Sequence, residues 1–312
     1  MKLLYCFDEN YNRQGFISIL SFIKNNSPGL NIHIIHNNPK TFEKYSRKLS
    51  ELKNTNIFIY QFENKDKVEL PVGISDHISE ATYYRLFLEQ HLPENIDEIL
   101  YIDADVVCIN NIENISKDTF NKIKESDFII AARTQGLKIH STKLFNDLNI
   151  EHSYFNAGVM FINLENWRRL NLTKILIKKL NEIKDIIVFW DQDVMNAHFD
   201  GRYIELDENL NFDGTKHINK NELSNILSRV YLIHYIGSKK PWKISSCNRI
   251  LSNIYQDMYY EAFSNFHILF DYRRKDFLNL IYFTFSGKLF NLNHPFKYLK
   301  QAVIDIFKES SE

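Results

Sequence analysis

Short apolar runs alternate with longer amphipathic segments along most of the chain. The run KLLYCF at residues 2–7 is too short for a helix and predicts a buried strand. After a polar turn, the segment at 15–26 has the apolar spacing of a helix. The same reasoning predicts further strands at 30–37, 55–62, 98–103, 127–133 and 157–164, and further helices at 39–54, 78–92, 167–185 and 190–199.

This alternation is typical of a doubly wound α/β fold, in which helices flank a mainly parallel sheet. We therefore expect one large domain at residues 1–250. The pattern then changes, because aromatic and basic residues are interleaved from His267 to Lys308. We expect residues 251–312 to form a mostly helical extension.

Composition excludes some classes of function. The 312 residues include 38 Lys and Arg against 39 Asp and Glu, so no global basic charge predicts nucleic-acid binding. Cys6, Cys108 and Cys247 are odd in number and form no CxxC motif, which fits a reducing cytoplasm and excludes a thiolate zinc site. No signal peptide or membrane-spanning run is visible, and we expect a cytoplasmic protein.

Two carboxylates, Asp103 and Asp105, stand one residue apart where a predicted strand leaves its sheet. Parallel strands deliver their last residues to the crevice where ligands bind. Alternation directs both side chains to one side and Ala104 to the other. Such close carboxylates repel each other unless a cation neutralises them. The pattern therefore favours a hard divalent ion, with a pair of solvated turn aspartates as the simpler alternative.

A phosphohydrolase is a second explanation of this motif. Enzymes that form an aspartyl phosphate also carry two such aspartates after a strand, the first acting as nucleophile. Their motif normally closes the first strand of the domain. Three predicted strands precede Asp103 here, which disfavours this alternative.

A second dense group of polar residues is HYIGSKKPW at 234–242. His234 is a candidate third metal ligand, Gly237 lets the backbone approach a phosphate closely, and Lys240 supplies a positive charge. A lone histidine is more often a hydrogen-bonded core residue. The neighbouring glycine, lysine and Pro-Trp pair favour the ligand interpretation.

Five other residues are open to more than one interpretation. Asn156 could bind a sugar hydroxyl or cap a turn, and Asp191 and Gln192 begin a predicted helix, where an aspartate is ordinarily a cap. Arg85 is either a helix-surface charge or an arm that reaches into the crevice. Tyr11 either stacks on a nucleotide base or is an ordinary half-buried tyrosine.

Six segments, taken in order, resemble glycosyltransferase family 8, and in particular bacterial lipopolysaccharide or lipooligosaccharide galactosyl- and glucosyltransferases. They are FDENY, HISEATYYRLFL, LYIDADVV, YFNAGVMFINL, WDQDVMNAHF and HYIGSKKPW, within roughly the first 245 residues. The resemblance implies a GT-A-type fold. It also implies a retaining, metal-dependent transfer of galactose or glucose from a UDP-sugar to an oligosaccharide or lipid-linked glycan.

The resemblance assigns roles to individual residues. It implies that Mn²⁺ or Mg²⁺ is bound by Asp103, Asp105 and His234. The donor-binding residues that it implies are Asp8, Asn10, Tyr11, Arg85, Asp103, Ala104, Asp105, Asn156, Asp191, Gln192, His234, Gly237 and Lys240. Gln192 and Asp191 would be the catalytic residues, and His77 would lie near the acceptor.

Retention of configuration leaves two mechanisms open. An amide is a poor nucleophile, so a glutamine at position 192 below the sugar ring favours attack from the leaving-group face. Asp191 is the alternative nucleophile for a double displacement. The stretches at 131–146 and 205–216 match no acceptor-side pattern, so the acceptor stays open.

The basic and aromatic extension also has two interpretations. Such stretches can lie on an anionic bilayer surface, which predicts peripheral contact with the inner face of the cytoplasmic membrane. Alternatively, the extension is a helical subdomain packed on the rest of the chain.

Two other functions compete with glycan synthesis. One is a self-glucosylating or protein-directed glucosyltransferase of the same fold, and the other is a glycan-binding relative without catalysis. The presence of Asp103, Asp105, His234 and Lys240 argues against the second.

Overall fold

The computed structural model describes residues 1–71, 79–136 and 142–308. Its strands are β1 Lys2–Phe7, β2 Asn31–His36, β3 Asn56–Gln61, β4 Glu98–Ile102, β5 Val106–Cys108, β6 Ile130–Thr134, β7 Phe155–Asn163, β8 Ile204–Glu205, β9 Phe212–Asp213 and β10 Leu232–His234. The first four predicted strands are confirmed to within a residue or two at each end.

Helices connect and flank these strands. They are α1 Asn12–Asn25, α2 Glu43–Ser50, α3 Leu88–His91, α4 Glu113–Lys124, α5 Thr142–Asp147, α6 Leu164–Arg169, α7 Leu172–Ile183, α8 Trp190–Phe199, α9 Lys220–Arg229, α10 Ile244–Cys247, α11 Ser252–Phe263, α12 Arg273–Phe285 and α13 Pro295–Phe307. Five 3₁₀ segments among the described residues complete the list: Glu9–Tyr11, Pro39–Phe42, Glu80–Phe87, Glu208–Leu210 and Lys288–Asn291.

The strands form two sheets. The larger has the order β3-β2-β1-β4-β7-β6-β8, and the smaller has the order β5-β10-β9. Strands β1 to β4 run parallel, β7 is antiparallel to both β4 and β6, and β8 is parallel to β6. The predicted α/β architecture with a mainly parallel sheet is confirmed, and the smaller sheet adds a feature that the sequence did not predict.

Helices cover both faces of the larger sheet, as the alternation of its strand residues requires. In β1, Leu3 and Tyr5 pack with α1 and the smaller sheet on one face, whereas Leu4 and Cys6 pack toward α7 and α8 on the other. The sheet is therefore the middle layer between two apolar clusters, and its carboxyl edge carries the polar residues.

Three predicted helices differ from the prediction. The helix expected at 39–54 is 3₁₀ at Pro39–Phe42 and α-helical only at Glu43–Ser50. The helix expected at 167–185 is two helices, because Asn171 adopts a left-handed conformation with φ 53° between α6 and α7. The helix expected at 78–92 is 3₁₀ from Glu80 to Phe87 and α-helical only at Leu88–His91. A 3₁₀ segment has three residues per turn, so side chains three apart project from the same edge.

The extension is helical, and its last two helices have their own apolar core. Leu280, Phe283, Tyr298 and Ala302 are buried together against Ile244 of α10. Helix α11 instead packs into the cluster that contains α1. The extension is therefore helical, as predicted, and packs on the rest of the chain through its buried side; the predicted membrane contact would involve the opposite, exposed side. Among the described residues, no helix is both long and apolar enough to cross a bilayer.

Candidate active site

The two sheets meet at the predicted carboxylate pair. Asp103 and Asp105 lie in the link between β4 of the larger sheet and β5 of the smaller one. His234 ends β10, where it pairs with Val106 of β5. This pairing brings His234 Nε2 to 3.2 Å from Asp105 Oδ1 and 3.8 Å from Asp103 Oδ2. The three residues therefore offer one ligand atom each within 4.8 Å of one another.

The imidazole of His234 is oriented by Asn211. His234 Nδ1 lies 2.9 Å from Asn211 Oδ1, and the amide of Asn211 donates to Asn156 Oδ1 at 2.9 Å. Since Asn211 presents its oxygen, Nδ1 carries the ring proton and Nε2 presents a lone pair to the carboxylates. A second polar residue that fixes the tautomer in this way is typical of metal-bound histidine.

These atoms fit a divalent cation. Asp105 Oδ1 is buried and has no hydrogen-bond partner within the part of the chain that the structure describes. It faces the unprotonated Nε2 of His234, so two electron-rich atoms converge on a space that no donor fills. A buried polar atom without a partner is costly, and a cation bound by these residues would satisfy it. Carboxylate and imidazole ligands suit ions such as Mn²⁺.

Gly158 makes room for this cluster. It lies in β7, and its carbonyl accepts a hydrogen bond from Asp103 N at 2.8 Å. A Cβ atom at this position would stand 2.2 Å from His234 Cε1 and 2.7 Å from Asp103 Oδ2. Real Cβ atoms essentially never come this close to another heavy atom, so a larger residue at position 158 would have to displace His234 and Asp103.

Lys240 neutralises part of the acidic charge. Its ammonium donates to Asp105 Oδ2 and to the carbonyl of Tyr235, the latter at 2.7 Å. Burial alone would raise the pKa of Asp105, but the Lys240 ammonium outweighs it and holds that pKa below its ordinary value. Gly237, in the same loop, has φ 67°, and a Cβ there would meet no atom of the described chain within 4 Å. The loop therefore presents an open backbone turn beside a fixed positive charge.

Arg85 joins the carboxylate pair to α8. Its guanidinium is 3.0 Å from Asp103 Oδ1 and also forms an ion pair with Asp191. Thr82, three residues earlier on the same edge of the 3₁₀ segment, donates to the other oxygen of Asp191. Burial disfavours the charge on Arg85, but Asp191, Tyr101 and Asp103 outweigh it and raise the pKa of Arg85 well above its ordinary value.

Gln192 is held by hydrogen bonds on both ends of its amide. Its oxygen accepts from the backbone N–H of Ala157 at 3.0 Å and from Asn156 Nδ2 at 3.4 Å. Its nitrogen donates to the hydroxyl of Tyr154 at 3.2 Å, and Tyr154 donates to Asp193. The side chain is half-buried, so the network fixes an amide that remains accessible from the crevice.

The turn after β1 lies next to the same loop. Asp8 Oδ1 accepts from Asn10 N at 3.0 Å and caps the short 3₁₀ segment Glu9–Tyr11. Burial raises the pKa of Tyr11, and Lys240 partly offsets this effect. The Tyr11 ring packs edge-to-face on Trp242, with centroids 6.2 Å apart. A cavity of about 420 Å³ opens beside Asn10.

The structure brings most of the predicted residues together. Asp103, Asp105, His234 and Lys240 form one cluster, and Arg85 connects it to Asp191. Ala104 is 6% exposed and packs in the apolar core, so its side chain points away from the carboxylates, as alternation predicted. His77, the predicted acceptor residue, lies outside the described residues.

Four side chains of the site were not predicted from the sequence: Thr82, Tyr101, Tyr154 and Asn211. Tyr101 donates to Asp103 Oδ1 at 2.6 Å. It stands two residues before Asp103, so strand alternation could have placed it on the same side. The other three contact the site across long sequence separations, for which a single sequence holds no signal.

The chain was compared with known protein families and structures. Residues 2–245 match the family model described as glycosyl transferase family 8. The chain belongs to this family. The resemblance inferred from the sequence is therefore confirmed over the same residues, and the protein is a glycosyltransferase. The sequence led us to expect a hexosyltransferase. The relatives described next, a glucosyltransferase and a galactosyltransferase, support this expectation.

Two relatives illustrate the likeness. The lipopolysaccharide 1,2-glucosyltransferase of Escherichia coli strain K12 is 30% identical over 254 residues, which is 78% of this chain and 72% of the relative. The lipopolysaccharide 1,3-galactosyltransferase of Salmonella typhimurium is 24% identical over 251 residues, 77% of this chain and 72% of the relative.

A solved structure shows the same fold. It is the galactosyltransferase LgtC in complex with donor and acceptor sugar analogs, with a TM-score of 0.68 and 20% sequence identity. The match covers 88% of this chain and all of the other, at 100%. The predicted GT-A-type fold is thereby confirmed.

Proposed function

We propose that the protein is a retaining glycosyltransferase that transfers galactose or glucose from a UDP-sugar to a saccharide acceptor and requires Mn²⁺ or Mg²⁺. One observation carries the proposal: Asp103, Asp105 and His234 converge around the unpartnered Asp105 Oδ1, with Lys240 beside them. A diphosphate needs such a combination of a cation site and a fixed positive charge. The family membership supplies the reaction class.

The donor would lie along the carboxyl edge of the larger sheet. Tyr11 would stack on the uracil, and Asp8 and Asn10 would bind the nucleoside. Gly237 and Lys240 would bind the diphosphate, because the open turn exposes backbone and the ammonium is close by.

The sugar of the donor would lie against a second group of residues, Arg85, Asp103, Asn156, Asp191 and Gln192. The buried guanidinium of Arg85 fixes the oxygens of Asp103 and Asp191. The amide nitrogen of Asn156 donates to the amide oxygen of Gln192. The polar groups that contact the sugar are therefore positioned before it binds, which reduces the reorganisation needed in the transition state.

When bound, the divalent ion would offset the negative charge that develops on the diphosphate as the glycosidic C–O bond breaks. Lys240 would stabilise the same charge. The acceptor hydroxyl would attack from the leaving-group face, and a phosphate oxygen of the departing UDP would take its proton. The new glycosidic bond then has the configuration of the old one.

Asp191 fits a positioning role better than a nucleophilic one. Its carboxylate is fully buried, at 0% exposure. Arg85 donates to both of its oxygens, and Thr82 donates to Oδ1. Gln192 is more accessible and would lie below the sugar ring, where its amide dipole can stabilise positive charge on the ring.

We further propose a glycan acceptor of the lipopolysaccharide or lipooligosaccharide type, on the cytoplasmic side of the membrane. The named relatives act in lipopolysaccharide synthesis. Peripheral membrane contact would place the enzyme near a lipid-linked acceptor. Phe285 and Phe296 of the extension are 87% and 71% exposed, which is unusual for phenylalanine and suits insertion at a bilayer surface. The double variant Phe285→Ser/Phe296→Ser should no longer float with anionic vesicles, whereas the wild type should.

The release of UDP from UDP-galactose and from UDP-glucose tests the reaction. We expect release with Mn²⁺ or Mg²⁺, loss of release with a chelator, and loss in Asp103→Ala. Asp118→Ala, which removes an exposed carboxylate on α4, is the matched control and should retain activity. Full release by Asp103→Ala, or full release in chelator, would overturn the metal assignment.

A further inference from the structure

A second cavity lies between the catalytic part and the extension. Its volume is about 230 Å³, and it is lined by residues from the loop after β9, from the segment around α10 and from the 3₁₀ segment Lys288–Asn291. Four of its lining residues are basic or can become so: Lys216, His217, Arg249 and Lys288. None of the residues assigned to the donor site lines it.

Basic side chains dominate the charged lining of this cavity, although Lys216 is close enough to Glu208 to help Arg229 lower the pKa of that carboxylate. No acidic residue is among those that line it. Within the described residues, Lys216, Arg249 and Lys288 form no ion pair within 4.0 Å, although the whole chain carries a net charge of −1. Concentrated positive charge in a concave site attracts anions. The cavity is therefore a candidate anion site.

Its walls are held in place by hydrogen bonds. The Arg249 guanidinium donates to the carbonyl of Thr215. The amide of Asn291 donates to the carbonyl of Asn248 at 3.1 Å, and the amide of Asn253 donates to the carbonyl of Asn291 at 2.7 Å. These bonds fix the extension against the segment after α10. The basic side chains are therefore brought together by the tertiary structure.

Exposed aromatic rings stand next to these basic groups in the chain. Lys288 Nζ is 3.0 Å from the hydroxyl of Tyr282 and 4.7 Å from the centre of its ring. Phe285 and Phe290 flank Lys288 and are 87% and 54% exposed. Lys220 Nζ donates to the carbonyl of Phe290 at 3.3 Å. Aromatic side chains beside lysine and arginine are typical of surfaces that sit at a lipid headgroup layer.

We propose that this cavity binds the headgroup phosphate of an anionic lipid, while the neighbouring aromatic side chains enter the interface. A guanidinium, ammonium groups and amides supply the several donors that phosphate oxygens accept. The exposed aromatic rings favour a lipid as the source of the phosphate, because a soluble phosphate ion would make no apolar contact with them. The inference rests on the membrane contact of the proposed function and adds its binding site.

Flotation of the full chain with vesicles tests the inference. The vesicles are phosphatidylcholine alone or phosphatidylcholine with phosphatidylglycerol, and inorganic phosphate is the soluble probe. We expect Lys216→Gln/Lys288→Gln to bind the phosphatidylglycerol vesicles about tenfold more weakly than the wild type. The matched control, Lys48→Gln/Lys174→Gln, removes two exposed lysines elsewhere and should bind as the wild type does.

The outcomes separate this inference from the broader proposal. Equal weakening of both double variants would show that only net charge matters and would overturn the cavity. Wild-type binding that is the same with and without phosphatidylglycerol, together with binding of inorganic phosphate, would overturn the lipid assignment. If the wild type floats with neither vesicle, the membrane contact itself is wrong. UDP release, measured without lipid, does not depend on any of these results.

Discussion

The ring of His234 is fixed by Asn211, whose side-chain oxygen lies 2.9 Å from His234 Nδ1. This contact keeps the lone pair of Nε2 directed at Asp103 and Asp105. We expect Asn211→Ala to weaken Mn²⁺ binding by about 10- to 100-fold, the usual effect of removing such a partner. Calorimetric titration with Mn²⁺ would measure it.

Asn225→Ala is the control for this variant, because Asn225 is exposed on α9 and is not one of the residues of the cluster. Its affinity should equal that of the wild type. Unchanged Mn²⁺ affinity in Asn211→Ala would mean that His234 needs no orienting partner.

Replacement of Gly158 should disrupt the same cluster from the other side. A methyl group there would collide with His234 and Asp103, so Gly158→Ala should lose at least about 90% of UDP release and destabilise the fold by about 1–3 kcal/mol. Gly136→Ala is the control, because a Cβ at Gly136 would meet none of the described residues within 4 Å. Full activity of Gly158→Ala would contradict the packing described here.

Arg85 should be important for stability as well as for the site. Arg85→Met leaves Asp191 as a buried charge without its partner, and we expect the free energy of unfolding to fall by about 3–5 kcal/mol. Urea denaturation measures this. The double variant Arg85→Met/Asp191→Leu removes both charges and should lose less than the single variant.

An exposed ion pair provides the comparison. Arg47→Met breaks the contact with Glu43 on α2, where both side chains are largely exposed, and should change stability by less than about 0.5 kcal/mol. A similar loss in Arg47→Met and Arg85→Met would contradict the importance given to burial.

Buried histidine should make the protein sensitive to acid. Burial, with a smaller effect of Arg13, lowers the pKa of His267 to about 3. In the unfolded chain this imidazole takes up a proton near pH 6.5, whereas the native one stays neutral until about pH 3. Stability therefore falls as the pH drops from 6.5 toward 3, by up to about 1.4 kcal/mol per pH unit for this group.

His267→Gln should make this decline shallower, whatever its effect on stability at pH 7.5. Urea denaturation at pH 7.5, 5.5 and 4.5 would show the change in slope. His152 should behave in the opposite sense, because Asp200 raises its pKa. Its contribution is present below the unfolded pKa and is lost as the pH rises, so His152→Gln should not reduce the acid sensitivity.

The sequence predicted the larger sheet and its helices better than the connections between them. Strands β1 to β3 are regular apolar runs, and their pattern alone located them. The direction of β7 could not be predicted, since a buried strand looks the same in either orientation. Strands β5, β8, β9 and β10 have only two or three residues, too few to show any periodicity.

The site was predicted to a similar extent. Alternation placed Asp103 and Asp105 together, and the dense loop after His234 indicated the third ligand. Tyr154 and Asn211 remained hidden because they act by contacting other site residues across the fold, and local sequence carries no trace of such contacts. The sequence left open whether Arg85 is a helix-surface charge or reaches into the crevice, and its position on the 3₁₀ segment, facing Asp103 and Asp191, shows that it reaches in.

The ligands of the proposed metal come from both sheets, since Asp103 follows a strand of the larger sheet and His234 ends a strand of the smaller. An ion bound there would therefore link the larger sheet to the smaller one, whose strands have only two or three residues. Occupancy of the centre should therefore raise the melting temperature in step with ion concentration, because only the folded chain binds it. The ion that activity requires would then also stabilise the contact between the two sheets, so activity and thermal stability should depend on the same ion concentration.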